Sequence, residues 1–143
     1  MTILDTNVLS EVVKPRPESR VLHWLAAQPN QDVYITAITT AEMLYGIQLL
    51  PAGKRRAALH EAVSLLFQHE FGGRVLSFDE AAGIRYGELV AERERANHRI
   101  SAFDAQIAAI ARVHGAQVAT RNTRDFAGAG VSLVNPWLDG KDT

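Results

Sequence analysis

The feature that most constrains the fold is an alternation, in which short apolar runs of strand length are separated by segments with helical periodicity. The runs fall at Thr2–Leu4, Val33–Thr36, Arg74–Ser77, Gln117–Thr120 and Ser132–Val134. Between them, apolar spacing predicts helices over Thr6–Val13, Ser19–Gln28, Ala41–Leu50, Lys54–Glu70, Glu80–Ala96 and Ala102–His114. Strands that alternate with helices pair in parallel, because a parallel neighbour is reached only through a crossover. The expectation is an α/β fold with a central, mainly parallel sheet of about five strands. Gly115 supplies a left-handed stop for the last helix, while Pro15, Pro17 and Pro51-Ala52-Gly53 mark tight connections with no linker. One domain over residues 1–143 accommodates all of this. The helices at 41–50 and 54–70 are expected to form an apolar hairpin, which either packs on its own core or receives a second copy of the chain.

Composition removes several classes of function. There is no cysteine, which excludes disulfides, thiolate metal sites and cysteine nucleophiles, and agrees with a reducing compartment. No window approaches the roughly 20 apolar residues of a membrane span and no signal-peptide pattern opens the chain, so a soluble, cytoplasmic protein without membrane contact is expected. The 15 Lys and Arg nearly balance 16 Asp and Glu, giving a net charge of −1 and no global attraction to nucleic acid. Once four acids are set aside for a metal site, the basic residues outnumber the acids that remain. Clusters at Lys14/Arg16/Arg20, Lys54/Arg55/Arg56, Arg93/Arg95/Arg99 and Arg121/Arg124 can hold phosphates, and each also reads as ordinary solvated surface. The five histidines share no metal or triad spacing, and Gly72-Gly73 lacks the lysine and helix of a phosphate loop.

Four acids occupy like positions near strand-to-helix junctions: Asp5, Glu42, Asp104 and Asp125. Burying an ionised carboxylate without partners costs several kcal/mol, so a strand that feeds directly into one delivers it to a polar crevice at the carboxyl edge of the sheet. Capping is the competing reading. Asp5 stands where a helix cap would, and both Thr39-Thr40-Ala41-Glu42 and Ser101-Ala102-Phe103-Asp104 fit the S/T-x-x-E/D capping pattern. Convergence of all four on one sheet edge favours chemistry. Clustered carboxylates need a cation, and oxygen ligands without His or Cys select Mg²⁺ or Mn²⁺ over zinc. Such a site suits hydrolysis of a phosphodiester by a metal-activated water.

These residues form a recognisable set: Ile3-Leu4-Asp5-Thr6-Asn7-Val8, Thr39-Thr40-Ala41-Glu42 with Gly46, Asp104 with Ile107-Ala108, and Thr120-Arg121-Asn122-Thr123-Arg124-Asp125-Phe126. Ala37-Ile38-Thr39, Arg74-Val75-Leu76-Ser77-Phe78-Asp79 and Asn135-Pro136-Trp137 extend it over nearly the whole chain. The chain resembles a PIN-domain ribonuclease of the VapC toxin family, and within it the FitB branch. The resemblance implies an α/β/α sandwich and Mg²⁺- or Mn²⁺-dependent endoribonuclease activity, as the toxin of a type II toxin–antitoxin module. It also implies a homodimer and a cognate VapB- or FitA-like antitoxin seated in the active-site groove, with DNA contacted only through that antitoxin. Asp5 and Asp104 correspond to the direct metal ligands, with Glu42 assisting through the metal or its water shell. Thr6, Asn7, Thr120 and Asn122 become candidate contacts to substrate or bound water. The fourth acidic position departs from the simplest pattern, since Asn122 stands where relatives carry an acid and Asp125 follows three residues later.

Two alternatives stay open on sequence alone. Asn122 motivates a catalytically weak protein that acts mainly as the antitoxin-binding partner in a DNA-bound autoregulatory complex. A phosphatase with Asp5 as nucleophile would want a second Asp two residues on, where this chain has Asn7.

Overall fold

A computed structural model describes residues 1–138. Five strands, β1 (Thr2–Leu4), β2 (Val33–Thr36), β3 (Val75–Leu76), β4 (Gln117–Ala119) and β5 (Leu133–Val134), form one sheet in the order β3-β2-β1-β4-β5. Every pairing is parallel. Seven helices accompany them: α1 (Thr6–Val12), α2 (Ser19–Ala26), α3 (Ala37–Gln48), α4 (Lys54–His69), α5 (Glu80–Arg95), α6 (Ala102–His114) and α7 (Thr123–Phe126). The strand order reverses between β1 and β4, and at such a switch point a crevice opens beyond the carboxyl ends of the strands.

Period-two alternation along the strands separates two cores. Ile3 and Val118 face a cluster with Leu89 of α5, Ile107 and Ile110 of α6, and Phe126 of α7. Their neighbours Leu4 and Ala119 face the opposite cluster, with Val8 and Leu9 of α1, Val21 of α2, Ile47 of α3 and Val63 of α4. The result is the expected α/β/α sandwich. Helix α6 buries Ala105, Ile107, Ala108, Ala109, Ile110 and Ala111, a largely small-residue surface that lets it lie close to the sheet and to α5. It ends on Gly115 at φ 61°, the left-handed cap expected from the sequence.

Three expectations shift. Helix α3 begins at Ala37 rather than Ala41, because the Thr36 hydroxyl accepts the Thr39 N–H at 3.3 Å and caps the helix early. Strands three, four and five are shorter than expected. A one-turn helix, α7, follows β4, too short to leave a periodic signal. The α3–α4 hairpin serves its own core through Met43, Ile47 and Val63, yet leaves Tyr45, Leu49 and Leu65 exposed. No helix among the described residues is long and apolar enough to cross a membrane.

Candidate active site

Asp5 is the residue that turns β1 into α1. Its backbone N–H reaches across to the Ala119 carbonyl at 2.9 Å, extending the β1–β4 ladder by one bond. Its side chain then caps α1, Oδ1 accepting the Thr6 N–H at 2.8 Å, while Oδ2 accepts the Thr120 hydroxyl at 2.8 Å. Cap and crevice acid are therefore one residue in one conformation. Asp5 is only 4% exposed, and burial pushes its carboxyl up to about 6, against the pull of these two hydrogen bonds and with help from the charges of Asp104 and Glu42.

Thr120 links the two strand ends. Its hydroxyl donates to Asp5 and accepts the Asn122 N–H at 3.0 Å and the Asn7 amide at 3.3 Å. Asn7 in turn accepts the Arg121 N–H on Oδ1 at 3.3 Å. A second chain runs through Thr6, whose hydroxyl donates to Glu42 Oε1 at 2.8 Å and so accepts from Thr39 at 3.0 Å. Glu42 lies six residues into α3, so the capping role that its Thr39-x-x-Glu spacing suggested is absent; Thr36 performs it. The other capping pattern is real. Ser101 caps α6 by accepting the Asp104 N–H at 3.2 Å, which fixes half-buried Asp104 at the mouth of the helix. Burial raises the Asp104 carboxyl above its ordinary range, Ser101 opposes this, and the charge of Asp125 adds to it.

Asp5, Glu42, Asp104, Thr6, Asn7 and Asn122 line a single open cleft of about 390 Å³. Buried Thr120 braces the cleft from behind through Asp5. Asp125 does not line it; it is exposed on α7 and reaches the site only through its field on Asp104. Among the described residues, no three His, Cys, Asp or Glu side chains converge closely enough to form a ready-made metal-ligand set. The three acids share a cleft, not a common point. Their donor chemistry, all oxygen and all anionic, still fits a hard divalent cation, and no cationic group among the described residues offsets the burial of Asp5.

Sequence reasoning missed part of the wall. Ser10, Glu11, Lys14, Arg121 and Trp137 also line the cleft; the sequence marks Lys14 and Arg121 in basic clusters and Arg121 and Trp137 in the motifs of the resemblance, but gives none of them a place in the site. The signal existed. Asn7, Ser10, Glu11 and Lys14 recur at helical spacing, a polar stripe opposite the apolar Val8, Leu9, Val12 and Val13.

A parallel sheet in this order, with acids gathered over its switch point, defines the class of protein. The PIN domain model matches residues 2–131, and the chain belongs to the PIN-domain family. Within that family it falls among the VapC-like toxins of the FitB branch. Toxin FitB of Neisseria gonorrhoeae is 42% identical over 97% of this chain and 100% of its own length. The VapC ribonuclease Y4jK of Sinorhizobium fredii is 42% identical over 96% of this chain and 98% of its own. A solved structure of FitAB bound to an IR36 DNA fragment superposes with a TM-score of 0.90 at 42% identity, covering 96% of both chains.

Proposed function

We propose that this chain is the toxin of a toxin–antitoxin pair, an endoribonuclease that hydrolyses RNA phosphodiester bonds with Mg²⁺ or Mn²⁺. The observation that carries the reading is the meeting of Asp5, Glu42 and Asp104 in one cleft, in a chain 42% identical to a named toxin and to a named ribonuclease. Asp5 and Asp104 would hold the metal directly, and Glu42 would act through the Thr6 hydroxyl or the metal's water shell. When bound, the ion supplies an activated water and neutralises charge on the scissile phosphate.

The remaining work belongs to the side chains. Thr120 and the Thr6 N–H hold the Asp5 carboxylate in one orientation, so its oxygens need not reorganise during the reaction. Thr6 fixes Glu42 in the same way. Asn122 offers a neutral amide to a phosphate or a water at the cleft wall. An antitoxin would occupy this cleft and carry any contact to DNA. Tyr45 on α3 and Leu49 at its C-terminal cap, each 67% exposed, offer an apolar face to a second copy of the chain.

The test is cleavage of single-stranded RNA by the purified protein. Activity should require added Mg²⁺ or Mn²⁺, stop on chelation, and fall at least about 100-fold in Asp104→Asn. Undiminished cleavage in chelator, or by the variant, would overturn the reading.

A further inference from the structure

The cleft that holds the acids has a second chemical character. Lys14, Arg121 and Trp137 line it together with Asp5, Glu42 and Asp104, and the charges are segregated. Asp5 senses Asp104 and Glu42, whereas Glu11 sits among Lys14 and Arg121. Glu11 is 6% exposed and committed, accepting from Lys14 Nζ at 3.0 Å and from the Glu18 N–H at 3.0 Å. Lys14 is thereby neutralised in place. Arg121 feels the same carboxylate only through space: among the described residues its guanidinium donates no hydrogen bond, and it lies over the Trp137 ring with 5.1 Å between Cζ and the centroid.

That placement is built from both sides. The Trp137 backbone is fixed by its main-chain N–H, which donates to Asn135 Oδ1 at 2.9 Å, and by Arg20, whose Nη1 donates to the Trp137 carbonyl at 3.3 Å. The Arg121 backbone is tied to Asn7, then through the Thr120 hydroxyl to Asp5. The offset between the buried carboxylate and the Arg121 backbone is thus set by three hydrogen bonds in series, and the Trp137 ring places the guanidinium. An aromatic face orients a guanidinium while leaving its N–H edge free, and that edge matches two phosphate oxygens.

We propose that this end of the cleft is a phosphate subsite, in which Arg121, seated on Trp137, binds the RNA phosphodiester next to the one being cleaved. The inference rests on the nuclease reading above and names a substrate contact which that reading leaves open. Trp137 is the positioning residue. A groove with anionic ligands at one end and a free cation at the other engages two successive phosphates of one strand, so the acids would receive the scissile group and Arg121 its neighbour.

The experiment measures affinity for a single-stranded oligoribonucleotide by fluorescence anisotropy across a NaCl series, in an Asp104→Asn background that does not cleave. Arg121→Gln should weaken binding about tenfold and reduce the slope of log affinity against log salt by about 0.7, the signature of one lost phosphate contact. In otherwise unaltered protein the same substitution should raise KM for RNA with kcat nearly unchanged. Trp137→Leu should reproduce part of the slope change, and Trp137→Phe, which keeps a ring, should restore it. If the unaltered protein cleaves RNA while Arg121→Gln leaves slope and KM untouched, the subsite is wrong and the nuclease stands. If RNA parameters hold and only antitoxin binding weakens, the guanidinium serves the protein partner and the subsite is again overturned. If the unaltered protein neither binds nor cleaves RNA, both readings fall together.

Discussion

Two junctions, at the carboxyl ends of neighbouring strands, supply the cleft in opposite ways. At β1–α1 a single residue intervenes: Leu4 ends the strand, Asp5 caps, and Thr6 begins the helix. At β4–α7 three residues intervene, Thr120, Arg121 and Asn122. The first junction buries its carboxylate and commits both oxygens, while the second exposes Arg121 and Asn122 to solvent, with Asp125 exposed just beyond it on α7. Rigidity lies where an unfavourable charge must be held, and freedom where a strand of substrate would enter. Only Thr120 belongs to both, fully buried, with its hydroxyl joining Asp5 to Asn7 and Asn122.

Removing that hydroxyl is the most severe way to break the arrangement. Thr120→Val keeps the shape but leaves a buried carboxylate oxygen and the Asn122 N–H without their partner, at a cost of about 2–3 kcal/mol. For a chain of this size the midpoint of thermal unfolding should fall by about 5–10 °C, and Thr120→Ser should recover most of it. An unchanged midpoint in Thr120→Val would show that the junctions are independent.

The buried charge itself can be read through pH. Folded protein keeps a proton on Asp5 up to about pH 6, whereas the unfolded chain releases it near 3.8. Between those values folding takes up a proton, so without divalent metal this group's contribution to stability falls as pH rises, and the loss is complete above about pH 6. Asp5→Asn removes that penalty. In chelator the variant should match the unaltered protein near pH 4 and exceed it by about 1–2 kcal/mol at pH 7.5, part of the gain being offset by an amide that cannot accept both hydrogen bonds. Added Mg²⁺ should reverse the order by stabilising only the protein that retains the carboxylate. A constant difference from pH 4 to 7.5 would mean that Asp5 is not held against its charge.

The same contrast explains what the sequence discloses. At β1–α1 the apolar run, the acid and the helix period are contiguous, so strand, site and helix are all legible in ten residues. Asp104 is nearly as clear, because Ser101 announces the helix that presents it. Glu42 is legible as a site acid, but its local context misleads: Thr39 looks like a cap, and only the tertiary fold shows Thr36 capping and Thr39 bonding Thr6. Arg121 precedes β5 in the chain and Trp137 follows it, so their contact is a pairing that no local spacing encodes. Arg93 gives the converse lesson, since a residue of an apparent phosphate cluster spends its guanidinium on the Asp125 and Ala127 carbonyls of the α7 region.

The smallest expected effect decides between Asn122 and Asp125. Asn122 lines the cleft and takes its backbone position from Thr120, so its amide stands on the wall itself. Asp125 lies outside the cleft lining and acts on the site through space, raising the Asp104 carboxyl. Exposed charges interact weakly across solvent, and salt screens them further. Asp125→Asn should therefore change RNA cleavage by less than about threefold, chiefly by moving the acidic limb of the pH–rate profile to lower pH, and the effect should fade with added salt. Asn122→Ala should cost more, and its deficit should persist at high salt because a local hydrogen bond is not screened away. If Asp125→Asn instead abolishes activity at every pH and salt concentration, the exposed junction closes over the cleft during the reaction and supplies the fourth carboxylate directly. The contrast between a rigid floor and an open rim would then hold only before substrate arrives.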